Sequence, residues 1–185
     1  MLVILTGPPG AGKTTVGAII ASESPRSACI HSDWFWTTIV NGHIPPWDRA
    51  ADAQNRTMIR AAPASAVRMA NAGYTTVLDG ILGPWHFEPL RDELGACMAP
   101  VHYAVLRPDG DICLVRAKGR VLESTEHRDA LIDEDPIRQM WDQFSHLGPI
   151  DRHVIDSSEM DAQATAMLIH DRIKAGGLRF PAADL

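Results

Sequence analysis

Short apolar runs recur along the chain, and the segments between them carry apolar residues at helical spacing. The first run, LVILT at residues 2–6, is apolar but for its last residue and stops at a cluster of glycine and proline. Such continuous runs are typical of strands that are buried on both faces, as in parallel sheets. The pattern predicts strands at residues 2–6, 27–33, 74–80, 101–107 and 152–158.

The intervening segments predict helices. Residues 34–42 predict a helix that Gly42 closes, and the alanine-rich residues 48–73 predict a helix that Pro63 either kinks or divides into two. Strands that alternate with helices are typical of an α/β fold, in which helices cover both faces of an open parallel sheet. In such sheets ligands bind at the carboxyl ends of the strands, which is where the candidate residues below fall.

Length, charge and cysteine content narrow the class of protein. The 185 residues fit one domain over residues 1–185, with a loosely ordered tail at 176–185. A formal net charge of -6 makes a nucleic-acid partner unlikely and favours a small-molecule one. The three cysteines match neither a disulfide framework nor a metal-binding spacing, so we expect a cytoplasmic protein with reduced thiols. The apolar start is too short for a signal peptide or a membrane span.

A glycine-rich loop follows the first strand. GPPGAGKT at residues 7–14 has the spacing G-x-x-x-x-G-K-T between a buried strand and an amphipathic helix. Backbone N–H groups of such a loop, with the start of the next helix, cradle the phosphates of a nucleotide. We expect ATP to contact Gly7, Pro8, Pro9, Gly10, Ala11, Gly12, Lys13, Thr14 and Thr15. Lys13 supplies a charge to the outer phosphates, and the Thr14 hydroxyl is a ligand for Mg²⁺.

The fate of the terminal phosphate depends on residues elsewhere in the chain. Asp79 has no glutamate beside it, so the Asp-Glu pair of many nucleotide hydrolases is missing, and no N-K-x-D element for guanine follows the fourth strand. A phosphotransferase needs a base for its acceptor, and Asp33 at the end of the second strand is the candidate. The structural role open to Asp33 is to cap the helix that follows, and the two roles are compatible.

Two arginines and a second aspartate complete the set of candidates. Arg116 and Arg120 lie one helical turn apart and could neutralise the transferring phosphoryl group, unless they form a solvated face on which Arg120 pairs with Glu123. Asp79 either holds Mg²⁺ through water or contacts the acceptor, or else only forms the turn at the end of its strand. His31 is a second candidate beside Asp33.

Aromatic and amide side chains occupy the segments expected to form the acceptor side. One of the four tryptophans there could stack on a flat or apolar acceptor, although tryptophan is commoner in a core. These are Trp34, Trp36, Trp47 and Trp85. Two roles are open for Gln54, Asn55 and Arg56. They could face the acceptor, or Arg56 could form an exposed ion pair with Asp52.

With its glycine loop, the sequence HSD at residues 31–33 and the late R-x-x-x-R spacing, the chain resembles the small P-loop kinases of the nucleoside-monophosphate-kinase-like group. That group includes gluconate and shikimate kinases and chloramphenicol phosphotransferase, and the chain is also similar to bacterial proteins labelled as predicted nucleotide kinases. The resemblance implies a three-layer P-loop NTPase fold with a five-stranded parallel sheet in the order 2-3-1-4-5. It also implies that Asp33 serves the acceptor hydroxyl and that the segment RAKGR belongs to a lid.

The function expected from these residues is transfer of the γ-phosphate of ATP, with Mg²⁺, to a hydroxyl of a small metabolite or antibiotic-like molecule. Lys13, Asp33, Arg116 and Arg120 are the expected catalytic residues, and Thr14 and Asp79 the expected metal ligands. The third strand continues as LDGILGPW and lacks the D-G-[FY]-P-R stretch of nucleoside monophosphate kinases. Two alternatives stay open: a nucleoside or nucleotide kinase, and a regulatory protein that binds the nucleotide without transferring phosphate.

Overall fold

The computed structural model describes residues 1–123 and 133–180, apart from the side chains of residues 120–123. Its five strands are β1 (Leu2–Thr6), β2 (Ser27–His31), β3 (Thr75–Asp79), β4 (Val101–Leu106) and β5 (Val154–Ile155). Its α-helices are α1 (Lys13–Ser22), α2 (Asp33–Thr37), α3 (Asp52–Asn71), α4 (Phe87–Leu94), α5 (Gly110–Glu123), α6 (Glu134–Gln143) and α7 (Ala162–Lys174). Short 3₁₀ helices span Arg49–Ala51, Pro84–His86 and Gly148–His153.

The strands form one parallel sheet in the order β2-β3-β1-β4-β5. The predicted α/β architecture and strand order are therefore confirmed. Every residue of β1 is buried because this central strand has a strand on each side and helices over both faces. Leu2 and Ile4 pack in the core that contains residues of α3, whereas Val3 and Leu5 pack in the core that contains residues of α1 and α7.

Helix α2 is shorter than the sequence pattern predicts. It ends at Thr37, whereas a helix over residues 34–42 was expected, so that part of the prediction is wrong. The hydroxyls of Thr37 and Thr38 donate to the carbonyl oxygens of Trp34 and Phe35, at 2.8 and 2.6 Å. Such side-chain bonds to the preceding turn compete with continuation of a helix.

Pro63 lies inside α3, which is one helix from Asp52 to Asn71. Pro63 is buried together with Ala62 and Ala66 on the side of α3 that faces the sheet. Of the two alternatives that the sequence left open, division into two helices is therefore wrong. Packing against the sheet compensates for the backbone hydrogen bond that proline cannot donate.

The chain after α7 is packed, which corrects the expectation of a loose tail for residues 176–180. Leu178 and Phe180 are buried, and their backbones pair with β4 through Tyr103 N–H to Leu178 O and Phe180 N–H to Val101 O, both 3.0 Å. Strand β5 has only two residues and pairs with the end of β4, so the edge at the start of β4 is open to this segment. Residues 181–185 of the predicted tail lie outside the described residues. None of the described helices is long and apolar enough to cross a membrane.

Candidate nucleotide and acceptor site

The glycine loop spans residues 7–12, between the end of β1 and the start of α1. Gly7, Gly10 and Gly12 all have positive φ angles, of 145°, 77° and 90°. A β-carbon on Gly7 would overlap the carbonyl oxygen of Leu106 at the end of β4, and one on Gly10 would overlap the carbonyl oxygen of Cys113 in α5. Glycine is therefore required at both positions by backbone conformation and by close approach.

The first turn of α1 is open to an anion. Its N-cap is Gly12, which has no side chain to accept from the helix N–H groups, and no acidic residue lies in the turn. Lys13 Nζ donates to the carbonyl oxygens of Gly7 and Pro8, both at 2.9 Å, so the lysine lies across the loop. Uncapped N–H groups, the positive end of the helix dipole and an ammonium group together favour phosphate.

Asp79 and His31 lie on the face of the sheet that α1 covers. A β-carbon on Gly17 of α1 would be 3.2 Å from Val77 Cγ1 and 3.6 Å from Cys29 Sγ. Asp79 and His31 each lie two residues further along the same two strands, and side chains two apart share a face. Thr14 lies about one helical turn before Gly17, toward the carboxyl ends of the strands. Thr14, Asp79 and His31 therefore all lie toward the carboxyl ends of the strands, on the face of the sheet that α1 covers.

The Asp79 carboxylate is buried, with 5% of its side chain exposed. Its Oδ1 accepts from His31 Nδ1 at 2.9 Å, and its Oδ2 has no hydrogen-bond partner among the described residues. Burial, followed by the charge of Asp79, raises the pKa of the Cys29 thiol to about 11, so this thiol stays protonated. A buried carboxylate oxygen and a threonine hydroxyl are both oxygen ligands of the kind that Mg²⁺ prefers. Thr14 and Asp79 thus fit the expected metal.

Asp33 is the first residue of α2 and is exposed. The N-cap position belongs to Ser32, which makes no side-chain capping bond. Ser32 Oγ donates to Asp33 Oδ1 at 3.4 Å. The predicted capping role therefore does not fall to Asp33, whose carboxylate is accessible at the carboxyl edge of the sheet.

A cavity of about 210 Å³ adjoins the glycine loop. It lies between the start of α1, α5 and the segment that follows β5. Its lining includes Ala11, Gly12, Thr15, Arg116, Ser157 and Met160. Ser157 is buried, and its Oγ has no hydrogen-bond partner among the described residues. The cavity therefore combines apolar walls with an arginine and an unsatisfied hydroxyl.

The side chain of Arg116 is exposed on α5 and lines this cavity. The side chain of Arg120, the other predicted arginine, lies outside the described residues. Helix α5 is joined to α6 by exposed ion pairs, from Lys118 to Glu134 at 2.9 Å and from Arg138 to Asp111 at 2.9 Å. Arg116 takes part in neither pair.

The segments after β2 and β3, where the sequence predicts the acceptor side, are held together by amide side chains. Gln54 donates to and accepts from the backbone of Ile44, at 2.7 and 2.9 Å, and Asn55 donates to Pro46 O at 2.7 Å. Asn55 also accepts from Trp36 Nε1 at 2.8 Å. The two amides therefore join the loop at residues 44–46 to α3, and Asn55 also joins α2 to α3.

Other predicted acceptor residues remain at the surface. Arg56 Nε lies 3.2 Å from Asp52 Oδ2, so these two residues form the exposed ion pair predicted as one alternative to an acceptor contact. Trp34 is 57% exposed, and Trp47 and Trp85 are also exposed, so these three are not core residues. Trp34 packs edge to face against His31, with ring centroids 4.4 Å apart.

The family model described as "AAA domain" matches residues 2–147 of the chain. The chain belongs to this AAA domain family. No curated protein matches this AAA domain at a significant level.

Solved structures with the same fold include two kinases. The sugar kinase from Janibacter sp. HTCC2649 is 19% identical, with a TM-score of 0.64 over 94% of each chain. Shikimate kinase from Acinetobacter baumannii, in complex with shikimate, is 23% identical, with a TM-score of 0.60 over 95% of this chain and 93% of that one. Kti12 from Chaetomium thermophilum, in complex with ADP-AlF3, is 14% identical, with a TM-score of 0.66 over 95% of this chain and 98% of that one. The AAA domain therefore has a kinase-like P-loop fold, and the resemblance to small P-loop kinases is confirmed.

Two features of the AAA domain site were not predicted from its sequence. The cavity residues Ser157 and Met160 were not among the candidates, although Ser157 follows the last strand, where ligands of such sheets bind. The bond between His31 and Asp79 joins two candidates that were considered separately. The sequence predicts the ends of β2 and β3, but it does not predict that His31 and Asp79 are aligned in the sheet.

Proposed function

We propose that this protein transfers the γ-phosphoryl group of ATP, with Mg²⁺, to a hydroxyl of a small molecule. The observation that carries the proposal is the position of Asp33. Its exposed carboxylate lies at the carboxyl edge of the sheet, two residues after β2, and the uncapped first turn of α1 lies at the same edge. A phosphate site and an accessible carboxylate at one edge provide the two halves of a phosphotransfer site.

The chain's own groups have separate roles in this proposal. The glycine loop and Lys13 bind the phosphates, and the cavity beside Arg116 takes the nucleoside. Thr14 and Asp79 would hold the metal, which when bound neutralises the phosphate oxygens. Arg116 adds positive charge next to the loop. Asp33 orients the acceptor hydroxyl and accepts its proton.

The chemical step follows from these positions. The acceptor oxygen forms a bond to the γ-phosphorus, while the bond between this phosphorus and the β,γ-bridging oxygen breaks. The acceptor proton passes to Asp33, and ADP leaves with the electron pair of the broken bond. Positive charge from Lys13 stabilises the three peripheral phosphoryl oxygens during transfer.

A panel of hydroxylated small molecules tests the proposal. ADP formation and the phosphorylated product are measured, by coupled assay and by mass, for the parent, Lys13→Ala and Asp33→Asn. Exposed residues of α7 give matched controls, Lys174→Ala and Asp171→Asn. We expect both site variants to lose about 10²-fold or more in kcat with an identified acceptor, and the controls to retain it.

The alternatives give different results in the same experiment. Product formed only from nucleosides or nucleoside monophosphates would identify a nucleotide kinase. ATP binding with no phosphorylated product from any acceptor would favour a regulatory nucleotide-binding protein. If Asp33→Asn phosphorylates an identified acceptor at the parental rate, the base is a group other than Asp33.

A further inference from the structure

The side chain of His31 contacts both halves of the site. Its Nδ1 lies 2.9 Å from Asp79 Oδ1, on the phosphate side, and its ring packs against Trp34, which lies next to Asp33 on α2. His31 and Asp79 are aligned residues of neighbouring parallel strands, so the bond joins the carboxyl ends of β2 and β3. Only 17% of the His31 side chain is exposed. Its ring is thus held by a bond on one edge and by an aromatic contact.

The direction of the bond follows from the chemistry of the two groups. An ionised carboxylate only accepts hydrogen bonds, so Nδ1 of His31 must donate to Asp79. This is so whether the imidazole is neutral or charged, because Nδ1 carries a hydrogen in the cation and in one neutral tautomer. The bond fixes one oxygen of a carboxylate that could otherwise rotate about its last torsion.

The other oxygen of Asp79 lacks a partner. Oδ2 is buried, and no described residue donates to it. A buried acceptor without a hydrogen bond costs free energy, so a native structure that keeps one has a reason for it. A ligand that arrives with the nucleotide would satisfy Oδ2. With Oδ1 bound to His31, Oδ2 is the oxygen that remains for that ligand.

We propose that His31 is a positioning residue for Asp79: its Nδ1–H holds Oδ1 so that Oδ2 is presented to the Mg²⁺ of the bound nucleotide. This inference rests on the proposed function, since it concerns the metal that accompanies ATP. It assigns His31 no contact with the metal or with the transferred phosphate. Groups that orient a metal ligand in this way typically change metal affinity by 10- to 100-fold when they are removed.

Three substitutions separate the Nδ1 bond from other properties of the ring. His31→Leu removes every hydrogen bond and keeps an apolar side chain against Trp34. His31→Asn places an amide N–H close to the position of Nδ1. His31→Gln carries its amide one methylene further out, closer to the position of Nε2. We expect His31→Asn to keep the function that His31→Leu and His31→Gln lose.

The measurement is metal binding, independent of turnover. Mn²⁺ serves as the probe, and its affinity for the complex of the protein with the nonhydrolysable nucleotide AMPPNP is measured by electron paramagnetic resonance. Nucleotide affinity without metal is measured in EDTA by calorimetry. We expect His31→Leu and His31→Gln to weaken Mn²⁺ binding about tenfold or more. His31→Asn should stay within about threefold of the parent, and all four proteins should bind nucleotide equally in EDTA.

The matched control is another histidine with the same kind of partner. His170 Nδ1 lies 2.9 Å from Glu23 Oε2, in an exposed pair at the opposite end of α1 from the glycine loop. His170→Leu removes a histidine–carboxylate pair of the same length and should leave Mn²⁺ affinity unchanged. Circular dichroism and urea midpoints of each variant establish that it is folded. If His31→Leu does not fold, the comparison between His31→Gln and His31→Asn carries the test.

Failure of this inference differs from failure of the proposed function. Parental Mn²⁺ affinity in folded His31→Leu and His31→Gln would overturn the positioning role while leaving the kinase proposal intact. An equal loss in His31→Asn and His31→Gln would also overturn it, because the donor at the Nδ1 position would then not matter. A parent protein that binds neither AMPPNP nor Mn²⁺ with AMPPNP would overturn the proposed function and this inference together.

Discussion

A β-carbon on Gly10 would overlap the carbonyl oxygen of Cys113 in α5. The glycine loop therefore lies directly against the helix that carries Arg116, although Gly10 and Cys113 are far apart in sequence. The loop conformation depends on this contact as well as on its own φ angles. A change in the position of α5 would therefore also alter the loop.

Gly10→Ala should destabilise the protein and abolish nucleotide binding. The left-handed conformation alone costs an alanine roughly 1–2 kcal/mol, and the overlap with Cys113 O adds to that cost. Gly73→Ala is the matched control, since Gly73 has a φ of 88° but open space around its α-carbon. Urea denaturation should show a greater loss for Gly10→Ala than for Gly73→Ala. An equal loss of unfolding free energy in the two variants would contradict this, because the overlap with α5 would then add no cost.

Arg116→Ala should weaken ATP binding by roughly 10- to 150-fold, because a charge-assisted hydrogen bond contributes roughly 1.5–3 kcal/mol. Lys118→Ala removes the same charge from the same helix, at a residue that pairs with Glu134 and does not line the cavity. Calorimetric titration of the two variants with ATP distinguishes a contact from a general field effect. Similar losses in both would indicate that Arg116 acts only through long-range charge.

Acidification should destabilise the fold through His86. Burial lowers the pKa of His86 from 6.5 to about 4, so the folded protein favours the neutral ring. The stabilisation from a lowered histidine pKa is complete above the unfolded value, near 6.5, and is lost as the pH falls toward 4. The free energy of unfolding of the parent should thus decrease more between pH 7 and pH 5 than that of His86→Gln, with exposed His146→Gln as the control. Identical pH slopes in parent and His86→Gln would contradict this.

Phe180→Ala should cost about 3–5 kcal/mol of unfolding free energy, as expected for a buried aromatic residue. Phe180 stacks on Tyr103 at 4.7 Å between ring centroids and is also packed against Phe87 and His153. Met167→Ala on the exposed face of α7 should change the free energy of unfolding by less than about 0.5 kcal/mol. Urea denaturation measures both, and a small effect of Phe180→Ala would show that the segment after α7 contributes little.

The parts of the molecule whose structure depends on residues adjacent in sequence could be predicted from the sequence. Strand β1, the glycine loop and α1 are contiguous, so their apolar pattern and glycine spacing identify them without any knowledge of tertiary contacts. The strand order came from the family resemblance, and the structure agrees with it. Asp33 was a candidate because it follows the second strand, and the resemblance implies the same acceptor role, which stays a prediction.

The features that could not be predicted from the sequence depend on how neighbouring strands align and on which edges of the sheet stay open. His31 and Asp79 are 48 residues apart and meet because β2 and β3 align at that position. Residues 178–180 pack because β5 is too short to cover the start of β4, a fact that only the assembled sheet shows. The early end of α2 depends on threonine hydroxyls whose bonding the apolar pattern did not indicate.

Gly17 has no side chain that could bind a ligand, yet it determines how closely α1 lies on the sheet. Its α-carbon faces Val77, and a methyl group there would be 3.2 Å from Val77 Cγ1. A larger side chain would lift the helix off β3 and carry Thr14 away from Asp79. A residue with no functional group thus determines how far the Thr14 hydroxyl lies from the Asp79 carboxylate, the two groups that would hold the metal in the proposed function.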